Sequence, residues 1–220
     1  MCGICGTLRF DNEKINDKQA RHMLDSIKMR GPDHTDTFST ENLYLGHSRL
    51  AVIDPSNKSH QPMKDDILNM VIVFNGVIYN YKELRIKLSK KGYNFFSDGD
   101  TEVILKSYHY YGRDCVKHFD GVFSFCIYDI TNQQLFLSRD RLGIKPLYYK
   151  IDEMSFSFAS NTAALCQNKD VYKIDQMAPI NGIKHDAHQA VGDCIATLET
   201  VSYTHLRAHE TREARGCRRL

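Results

Sequence analysis

The sequence predicts an α+β domain with mostly antiparallel sheets, and three observations support this fold class. Residues 2–10 alternate in character and contain glycine, which indicates a buried strand at the start of the chain. Two stretches with an apolar stripe, 81–91 and 101–111, predict a pair of helices. Short strand segments joined by polar turns follow over 121–151. Because strands and helices form separate runs, the order favours antiparallel layers over alternating βαβ units.

Taken in chain order, the first helix is predicted over 15–30, where apolar residues recur at helical spacing and Gly31 and Pro32 end the pattern. Strands are predicted at 43–53 and 70–79. The two later helices end at glycines, Gly92 and Gly112, as helices commonly do. The remaining predicted strands are 121–130, 135–138 and 147–151.

A length of 220 residues predicts one domain plus an extension. The predicted domain covers 2–165, and the character of the chain changes at 166–220. Lysine disappears after Lys184, while arginine and histidine crowd the last sixteen residues without a sustained apolar stripe. We expect this tail to be poorly ordered. A flexible extension and a segment unrelated to the domain are both open interpretations.

The charge balance excludes several classes of protein. With 29 Lys and Arg against 27 Asp and Glu, the net charge of +2 argues against a nucleic-acid or membrane-surface binder. The longest apolar run, Met70 to Phe74, is too short to cross a bilayer. The N-terminus lacks the basic and apolar stretches of a secretory signal, and seven cysteines are an odd number for a disulfide framework. We therefore expect a cytoplasmic protein with reduced thiols.

Cys2 is the first candidate for chemistry. Removal of Met1 exposes an α-amine with a pKa of roughly 7.7–8.0 beside a thiol with a pKa of about 8.5, so that base and nucleophile belong to one residue. The structural alternative is a small buried hydrophobic residue at a strand start. Cys2 and Cys5 also form a Cys-x-x-Cys pair, but no strand precedes it as in a thioredoxin motif, and no second pair completes a zinc site.

Three further positions suggest a substrate site. Arg49 lies among apolar residues, where its planar fork suits a substrate carboxylate or a structural acid. Asn75-Gly76 is a hairpin-turn signal, and its side-chain amide and glycine N–H also make a donor pair for an oxyanion. Asp100 lies in an acidic stretch before a helix, where capping is the default role and binding of an ammonium group is the alternative.

Other motifs point to no further site. His34, His47, His60 and His118 lack zinc-like spacing, which indicates structural or surface residues. Gly143 and Lys145 do not form a phosphate-binding loop.

An ordered set of motifs resembles the class II glutamine amidotransferase domain, and in particular the glutaminase half of glutamine-hydrolysing asparagine synthetases. The resemblance covers residues 2 to about 165. The motifs are Cys2-Gly3-Ile4-Cys5-Gly6, Arg30-Gly31-Pro32-Asp33, Gly46-His47-Ser48-Arg49-Leu50, Gln61-Pro62-Met63, Phe74-Asn75-Gly76, Tyr79-Asn80-Tyr81, Leu84-Arg85, Gly99-Asp100-Thr101-Glu102 and Arg139-Asp140-Arg141 with Gly143, Lys145, Pro146, Leu147 and Tyr148.

The resemblance implies a four-layer αββα sandwich of the Ntn-hydrolase type with Cys2 at its edge. It implies that Cys2 attacks the side-chain amide of L-glutamine, with its own α-amine as base and then acid, and that water hydrolyses the γ-glutamyl thioester. By resemblance, Arg49 holds the α-carboxylate of glutamine, Asp100 holds its α-ammonium, and Asn75 and the Gly76 N–H stabilise the oxyanion. The segment from Leu50 through Ala51 and Val52 to Ile53, together with Val77, completes the implied substrate site.

The chain departs from the family pattern in three places. Val77 stands where the family usually has Glu, and Asn161 stands where it also usually has Glu. The family's synthetase domain, which binds ATP and Mg²⁺ and receives the ammonia, is expected to be absent from this chain, and no cofactor is expected for the glutaminase part. A synthetase domain or subunit is the expected partner, and a homodimer is left open.

Three functional hypotheses follow from the family resemblance and from these departures. The leading one is an active glutaminase that depends on Cys2 and on removal of Met1. The second is a catalytically impaired fragment that serves only as a fold or interaction module, which Val77, Asn161 and the tail favour. The third is an Ntn thiol hydrolase acting on another amide.

Overall fold

The computed structural model describes residues 1–166 together with two short strands in the tail. In chain order the strands are β1 (Gly3–Arg9), β2 (His34–Ser39), β3 (Leu43–Arg49), β4 (Met63–Asp65), β5 (Met70–Ile78), β6 (Gly121–Asp129), β7 (Gln134–Arg139), β8 (Tyr148–Ile151), β9 (Ser155–Ala159), β10 (Ile174–Gln176) and β11 (Ile195–Glu199). The α-helices are α1 (Asp17–Ile27), α2 (Tyr81–Ser89) and α3 (Asp100–Tyr111).

The strands form two sheets in which neighbouring strands are antiparallel. One sheet has six strands in the order β10-β8-β9-β1-β3-β2, and the other has five in the order β11-β7-β6-β5-β4. The N-terminal strand β1 is therefore an interior strand, paired with β3 on one side and β9 on the other. Cys2 immediately precedes this strand, so the sheet fixes the position of the chain's second residue.

Glycine is required where β1 meets its neighbours. A Cβ added at Gly6 would lie 2.5 Å from the Phe158 ring and 2.8 Å from a Leu45 methyl group. Such distances are well inside van der Waals contact, so a larger residue would separate the strands from the core that packs against them.

Three apolar clusters show the order of the layers. The two sheets face each other through a cluster that includes Ile4, Val73 and Phe158. Helix α1 packs on the outer face of the first sheet, and α2 and α3 pack on the outer face of the second. The arrangement is helix, sheet, sheet, helix. The predicted fold class, an α+β four-layer αββα sandwich with mostly antiparallel sheets, is confirmed.

Most predicted elements are present, but several boundaries were wrong. The predicted strand 43–53 ends at Arg49, and the residues after it form an irregular loop. The hairpin turn predicted at Asn75-Gly76 is absent, because both residues lie inside β5 and pair with Ser124 and Phe123 of β6. The strands that were not predicted are β2, β4 and β9, together with β10 and β11 in the tail.

The tail contributes one short strand to each sheet. β10 pairs with β8 and β11 pairs with β7, both antiparallel. The prediction that 166–220 is poorly ordered otherwise falls on residues outside those described. Within the described part of the chain, no helix combines the length and apolar character needed to cross a membrane.

Candidate active site

A cleft of about 280 Å³ lies beside the start of β1, close to the small end of the usual range for ligand sites. Its walls come from the N-terminus, the end of β3 and the loop after it, the far end of β5, and the start of α3. The lining residues are Met1, Cys2, Arg49, Leu50, Val52, Ile53, Ser59, Gln61, Phe74, Asn75, Gly76, Val77, Gly99, Asp100, Thr101 and Lys145.

The Cys2 thiol is held at the edge of this cleft by the chain that leaves β3. The Leu50 N–H donates to Sγ at 3.3 Å, and Sγ lies 3.6 Å from the Leu50 carbonyl oxygen. Arg30 Nε donates to the Cys2 carbonyl at 3.0 Å, which fixes the backbone on the other side. By contrast, Cys5 is fully buried, and burial raises the pKa of its thiol. Both thiols are free, so the Cys-x-x-Cys pair forms no disulfide.

Met1 occupies part of the cleft. Its side chain lines the cavity, and Lys145 Nζ lies 3.4 Å from its sulfur. The peptide bond between Met1 and Cys2 also removes the basicity of the Cys2 nitrogen. Loss of Met1 therefore has two consequences, because it frees an α-amine beside the thiol and enlarges the space in front of it.

The open edge of β5 presents backbone donors to the cleft. The short strand β4 covers β5 only as far as the pairing of Met63 with Ile72. Beyond that point the Phe74 N–H donates to Gln61 Oε1 at 2.6 Å, and the Ile78 N–H donates to Asp100 Oδ2 at 3.0 Å. Because alternate residues of a strand direct their N–H groups to the same side, the Gly76 N–H faces this edge as well.

Asn75 supplies a second donor next to Gly76. The residue is 1% exposed, and Nδ2 has no hydrogen-bond partner among the described residues, although it is buried at the cleft. An unpaired buried amide donor is costly, so it is poised to bind an anionic oxygen that enters the site. Gly76 itself cannot be enlarged, since a Cβ there would lie 2.2 Å from the Val122 carbonyl oxygen.

Arg49 provides the positive charge of the site. Its Nη1 donates to the Ser56 carbonyl at 2.9 Å and its Nη2 donates to the Asp54 carbonyl. The structural acid considered as its partner is absent, because no ion pair to Arg49 occurs within residues 1–166. Carbonyls orient the guanidinium without neutralising it, so its charge is available to an anion in the cleft.

Asp100 provides the negative charge. It is the first residue of α3, and burial raises the pKa of its carboxyl group to about 6, although the hydrogen bond from the Ile78 N–H lowers it. The residue in the N-cap position is Gly99 rather than an acid, while hydrogen bonds from the backbone of Asp100 and Thr101 at the start of α3 also lower the pKa of the Asp100 carboxyl group. Glu102 instead accepts from the backbone N–H groups of Phe96 and Ser97.

Glu102 also belongs to a buried ion cluster that anchors α3 beneath the cleft. Lys106 Nζ contacts Glu102 Oε1 and lies 3.4 Å from Asp65 Oδ2. Because Glu102 holds the segment preceding Asp100 and Lys106 holds Glu102, the cluster fixes the beginning of the helix. Buried charges of this kind are tolerated when they are paired and hydrogen-bonded.

The pKa of Asp100 predicts how ligand affinity varies with pH. In the Cys2→Ala variant, which cannot turn substrate over, the affinity for L-glutamine should be constant well above pH 6 and should fall as the pH drops through 6, because protonation removes the charge that attracts the α-ammonium. Isothermal titration between pH 5 and 8 measures this. The Asp100→Asn variant should bind weakly and without this dependence. An unchanged affinity of Cys2→Ala at pH 5 would contradict the assigned role.

The structure brings most of the predicted site residues together. Cys2, Arg49, Leu50, Val52, Ile53, Asn75, Gly76, Val77 and Asp100 all line the cleft. Ala51 does not belong to the lining, and its N–H donates to Asp33 Oδ2 at 2.7 Å. Sequence reasoning assigned no role to the lining residues Ser59, Gln61, Thr101 and Lys145. Of these, Gln61, Thr101 and Lys145 lie in the motifs that carry the family resemblance, but nothing in the local sequence marks Ser59.

The remaining predicted residues have structural partners. His47 is buried, its Nε2 lies 3.1 Å from the Phe74 carbonyl oxygen, and burial lowers its pKa to about 3, so it is neutral. Asn161 lies outside the cleft lining, where Nδ2 donates to the Ser26 carbonyl and Oδ1 accepts from the Ala164 N–H. Within residues 1–166, no group of three or more His, Cys, Asp or Glu side chains is arranged to hold a metal ion.

Known proteins are similar to this chain in sequence and in fold. It is 42% identical over 191 residues to a putative glutamine-hydrolysing asparagine synthetase of Methanocaldococcus jannaschii, which covers 79% of this chain and 36% of that protein. It is 38% identical to asparagine synthetase 3 of Bacillus subtilis, over 78% of this chain and 28% of that protein. The chain thus spans about a third of the length of these relatives.

A solved structure shares the fold, and a family model identifies the family. A glutamine phosphoribosylpyrophosphate amidotransferase from B. subtilis matches 91% of this chain and 50% of its own with a TM-score of 0.67 at 17% identity, which shows a common Ntn-hydrolase-type fold. The family model for a glutamine amidotransferase domain matches residues 1–215. The chain belongs to the glutamine amidotransferase domain family, and the two sequence relatives described above are asparagine synthetases.

Proposed function

We propose that this chain hydrolyses L-glutamine to L-glutamate and ammonia with the Cys2 thiol as nucleophile. The observation that carries the proposal is that the cleft beside Cys2 joins a thiol, the unpaired amide donor of Asn75, the cation Arg49 and the buried acid Asp100. A ligand that satisfies all four groups needs an electrophilic carbonyl, a carboxylate and an ammonium group. An α-amino acid with a side-chain amide has this combination.

The reaction proceeds in two steps, and the chain supplies the nucleophile, the base and the oxyanion donors. After Met1 is removed, the Cys2 α-amine takes the thiol proton, and Sγ forms a bond to the amide carbon of glutamine. The oxyanion accepts hydrogen bonds from Asn75 Nδ2 and the Gly76 N–H. The ammonium then returns its proton to the leaving nitrogen, the C–N bond breaks, and ammonia leaves a γ-glutamyl thioester. Water activated by the same amine cleaves the thioester and restores the thiol.

The proposed acceptor of the ammonia rests on the sequence relatives. The relatives named above are asparagine synthetases and are more than twice as long, so we propose that a synthetase domain or subunit accepts the ammonia and transfers it to aspartate. ATP and Mg²⁺ would serve that partner, since thiol, amine and amide donors suffice for glutamine hydrolysis. Cytoplasmic location and a homodimer remain predictions that cell fractionation and light scattering would check.

The proposal is tested by product formation. A chain with Met1 removed should release glutamate from L-glutamine and release far less product from L-asparagine, whose shorter side chain cannot reach Cys2 while its α-groups contact Arg49 and Asp100. A hydrolase for other amides should instead accept simple amides that lack the α-groups as readily as glutamine. Equal rates on butanamide and glutamine would contradict the assignment.

Val77 favours a second candidate, an impaired site with weak glutamine affinity. Its side chain lines the cleft next to Ile78, whose N–H binds Asp100, and it offers no charge to the substrate ammonium. The Val77→Glu variant should lower the KM for glutamine several-fold, because a second carboxylate attracts the ammonium. Val77→Gln is the matched neutral control and should not lower KM. Steady-state kinetics of the wild type and the two variants give the three KM values. Equal KM values for Val77→Glu and wild type would contradict the idea that position 77 limits affinity.

A further inference from the structure

Asp54 lies in the loop that leaves Arg49 and makes more contacts than a loop acid usually does. Its backbone adopts a left-handed conformation with φ +47°. Oδ1 accepts from the Ser56 N–H at 3.2 Å and from Ser56 Oγ at 2.6 Å, while Oδ2 accepts from Ser59 Oγ at 2.5 Å and from the Asp98 N–H at 2.9 Å. Asp54 is not among the residues that line the cleft.

Asp54 is linked by hydrogen bonds to Arg49 and, through Asp98, to Asp100, the two charged groups of the site. Its backbone carbonyl contacts Arg49, and its carboxylate binds the chain just before Asp100. On one side, the carbonyls of Asp54 and Ser56 accept the hydrogen bonds of the Arg49 guanidinium, so the shape of this loop sets where the cation lies. On the other side, the Asp54 carboxylate holds the Asp98 N–H, two residues before Asp100.

The packing around Gly99 shows that the two segments are in direct contact. A Cβ added there would lie 2.9 Å from Ser59 Oγ and 3.7 Å from the Asp54 Cβ. The loop 54–59 and the residues that precede α3 therefore touch at Gly99, where a larger residue would displace the Ser59 hydroxyl, and the Asp54 carboxylate joins the two segments by hydrogen bonds.

The charge of Asp54 is maintained without a cation. Burial would raise the pKa of this carboxyl group, but the hydrogen bonds from Ser56, Ser59 and the Asp98 N–H outweigh it and lower the pKa well below its usual range. No ion pair to Asp54 occurs in the described ranges. A carboxylate that accepts from several donors at once holds their chain segments firmly in place, because each hydrogen bond is charge-assisted.

We propose that Asp54 is a positioning residue that fixes the separation of Arg49 and Asp100 and so matches the site to an α-amino acid. The inference rests on the proposed function, because it takes the α-carboxylate and α-ammonium of glutamine as the ligands of these two groups. Asp54 touches neither group of the substrate and acts through the loop geometry alone.

The Asp54→Asn variant tests this inference, since the amide keeps the shape but replaces one acceptor oxygen by a donor. We expect the KM for L-glutamine to rise about 10- to 100-fold with kcat changed far less, because the ligand groups are displaced while Cys2 and Asn75 are not. The matched control is Asp152→Asn. Asp152 accepts from the Met154 N–H, the Ser155 N–H and Ser155 Oγ in the β8–β9 turn, far from the cleft lining, and its loss should leave KM unchanged.

A chemical readout separates positioning from general damage. Iodoacetamide should alkylate Cys2 of Asp54→Asn at the wild-type rate, measured by mass on the N-terminal peptide, whereas the concentration of L-glutamate that protects Cys2 should rise about 10-fold or more. If Asp54→Asn does not fold, Ser56→Ala removes one donor to the carboxylate and should raise KM a few-fold. Wild-type KM and protection in these variants would overturn the inference. Failure of the wild-type chain to hydrolyse glutamine would overturn the proposed function instead.

Discussion

The Cys2→Ala variant should lose at least about 10³-fold of the rate of glutamate release, because it lacks the atom that forms the thioester. Binding of L-glutamine should persist, since Arg49 and Asp100 are unaffected and alanine is smaller than cysteine. Rate and affinity are measured separately, by a coupled glutamate assay and by isothermal titration.

The chain offers a matched control for this substitution. Cys5 lies in β1, three residues after Cys2, and also has a free thiol, but it is fully buried in the cluster beneath α1. The Cys5→Ala variant should therefore retain glutaminase activity after removal of Met1. A Cys2→Ala variant with more than a few per cent of wild-type activity, or a Cys5→Ala variant that folds yet has none, would contradict the assignment of the nucleophile.

The second large effect is expected for Asn75→Ala. Loss of one preorganised oxyanion donor typically costs about 3 kcal/mol in the transition state, or 10²- to 10³-fold in kcat. The affinity for glutamine should change little, because Nδ2 serves the charge that develops only during the reaction. Steady-state kinetics measure both parameters.

The Asn75→Asp variant distinguishes a donor from a packing residue. It preserves the volume of the side chain, fills the same place in β5, and replaces the N–H donor with an acceptor that repels an oxyanion. It should be at least as defective in kcat as Asn75→Ala, while Cys2 should still react with iodoacetamide at the wild-type rate. Near wild-type turnover by Asn75→Asp would contradict the role of Asn75 as a donor.

Much of the fold could be predicted from local patterns. The helices were predicted because each has an apolar stripe and ends near a glycine, and Gly112 does adopt a left-handed conformation with φ +61° at the end of α3. Strand β2 was missed because it is mostly exposed at the sheet edge, so its residues are polar and carry no hydrophobic alternation. Strand β4 is only three residues long. The sequence of β9 alternates between serine and phenylalanine, which is a strand signal that the prediction did not use.

The Asn75-Gly76 pair shows how tertiary structure can override a turn signal. This dipeptide favours a two-residue hairpin, yet β6 pairs with β5 along its whole length from Met70 to Ile78. The strand continues through Asn75-Gly76, and the absence of β4 beside it leaves the donors of both residues directed at the cleft. The predicted turn geometry was therefore wrong, although both residues line the cleft.

The candidate site could be predicted only where the chemistry is local or a motif is present. Cys2 followed from its position and from the family resemblance, and both chemically plausible partners, Arg49 and Asp100, line the same cleft. The contacts of Asp54 could not be foreseen, because its carboxylate meets the Asp98 N–H across 44 positions of sequence. Likewise, Gln61 connects Phe74 of β5 with Thr101 of α3 by way of its side-chain amide, which no spacing rule reveals.

If thiol and base belong to the same residue, activity must depend on a free N-terminus at Cys2, and two forms of one chain test this dependence. One form is released by a protease so that Cys2 is the N-terminus, and the other retains Met1, with intact mass verifying each. We expect the first form to release glutamate and ammonia from L-glutamine in equal amounts, and the second form, which lacks the free amine, to release at least about 10³-fold less of both. Equal activity of the two forms, or no activity of the form that begins at Cys2, would contradict it.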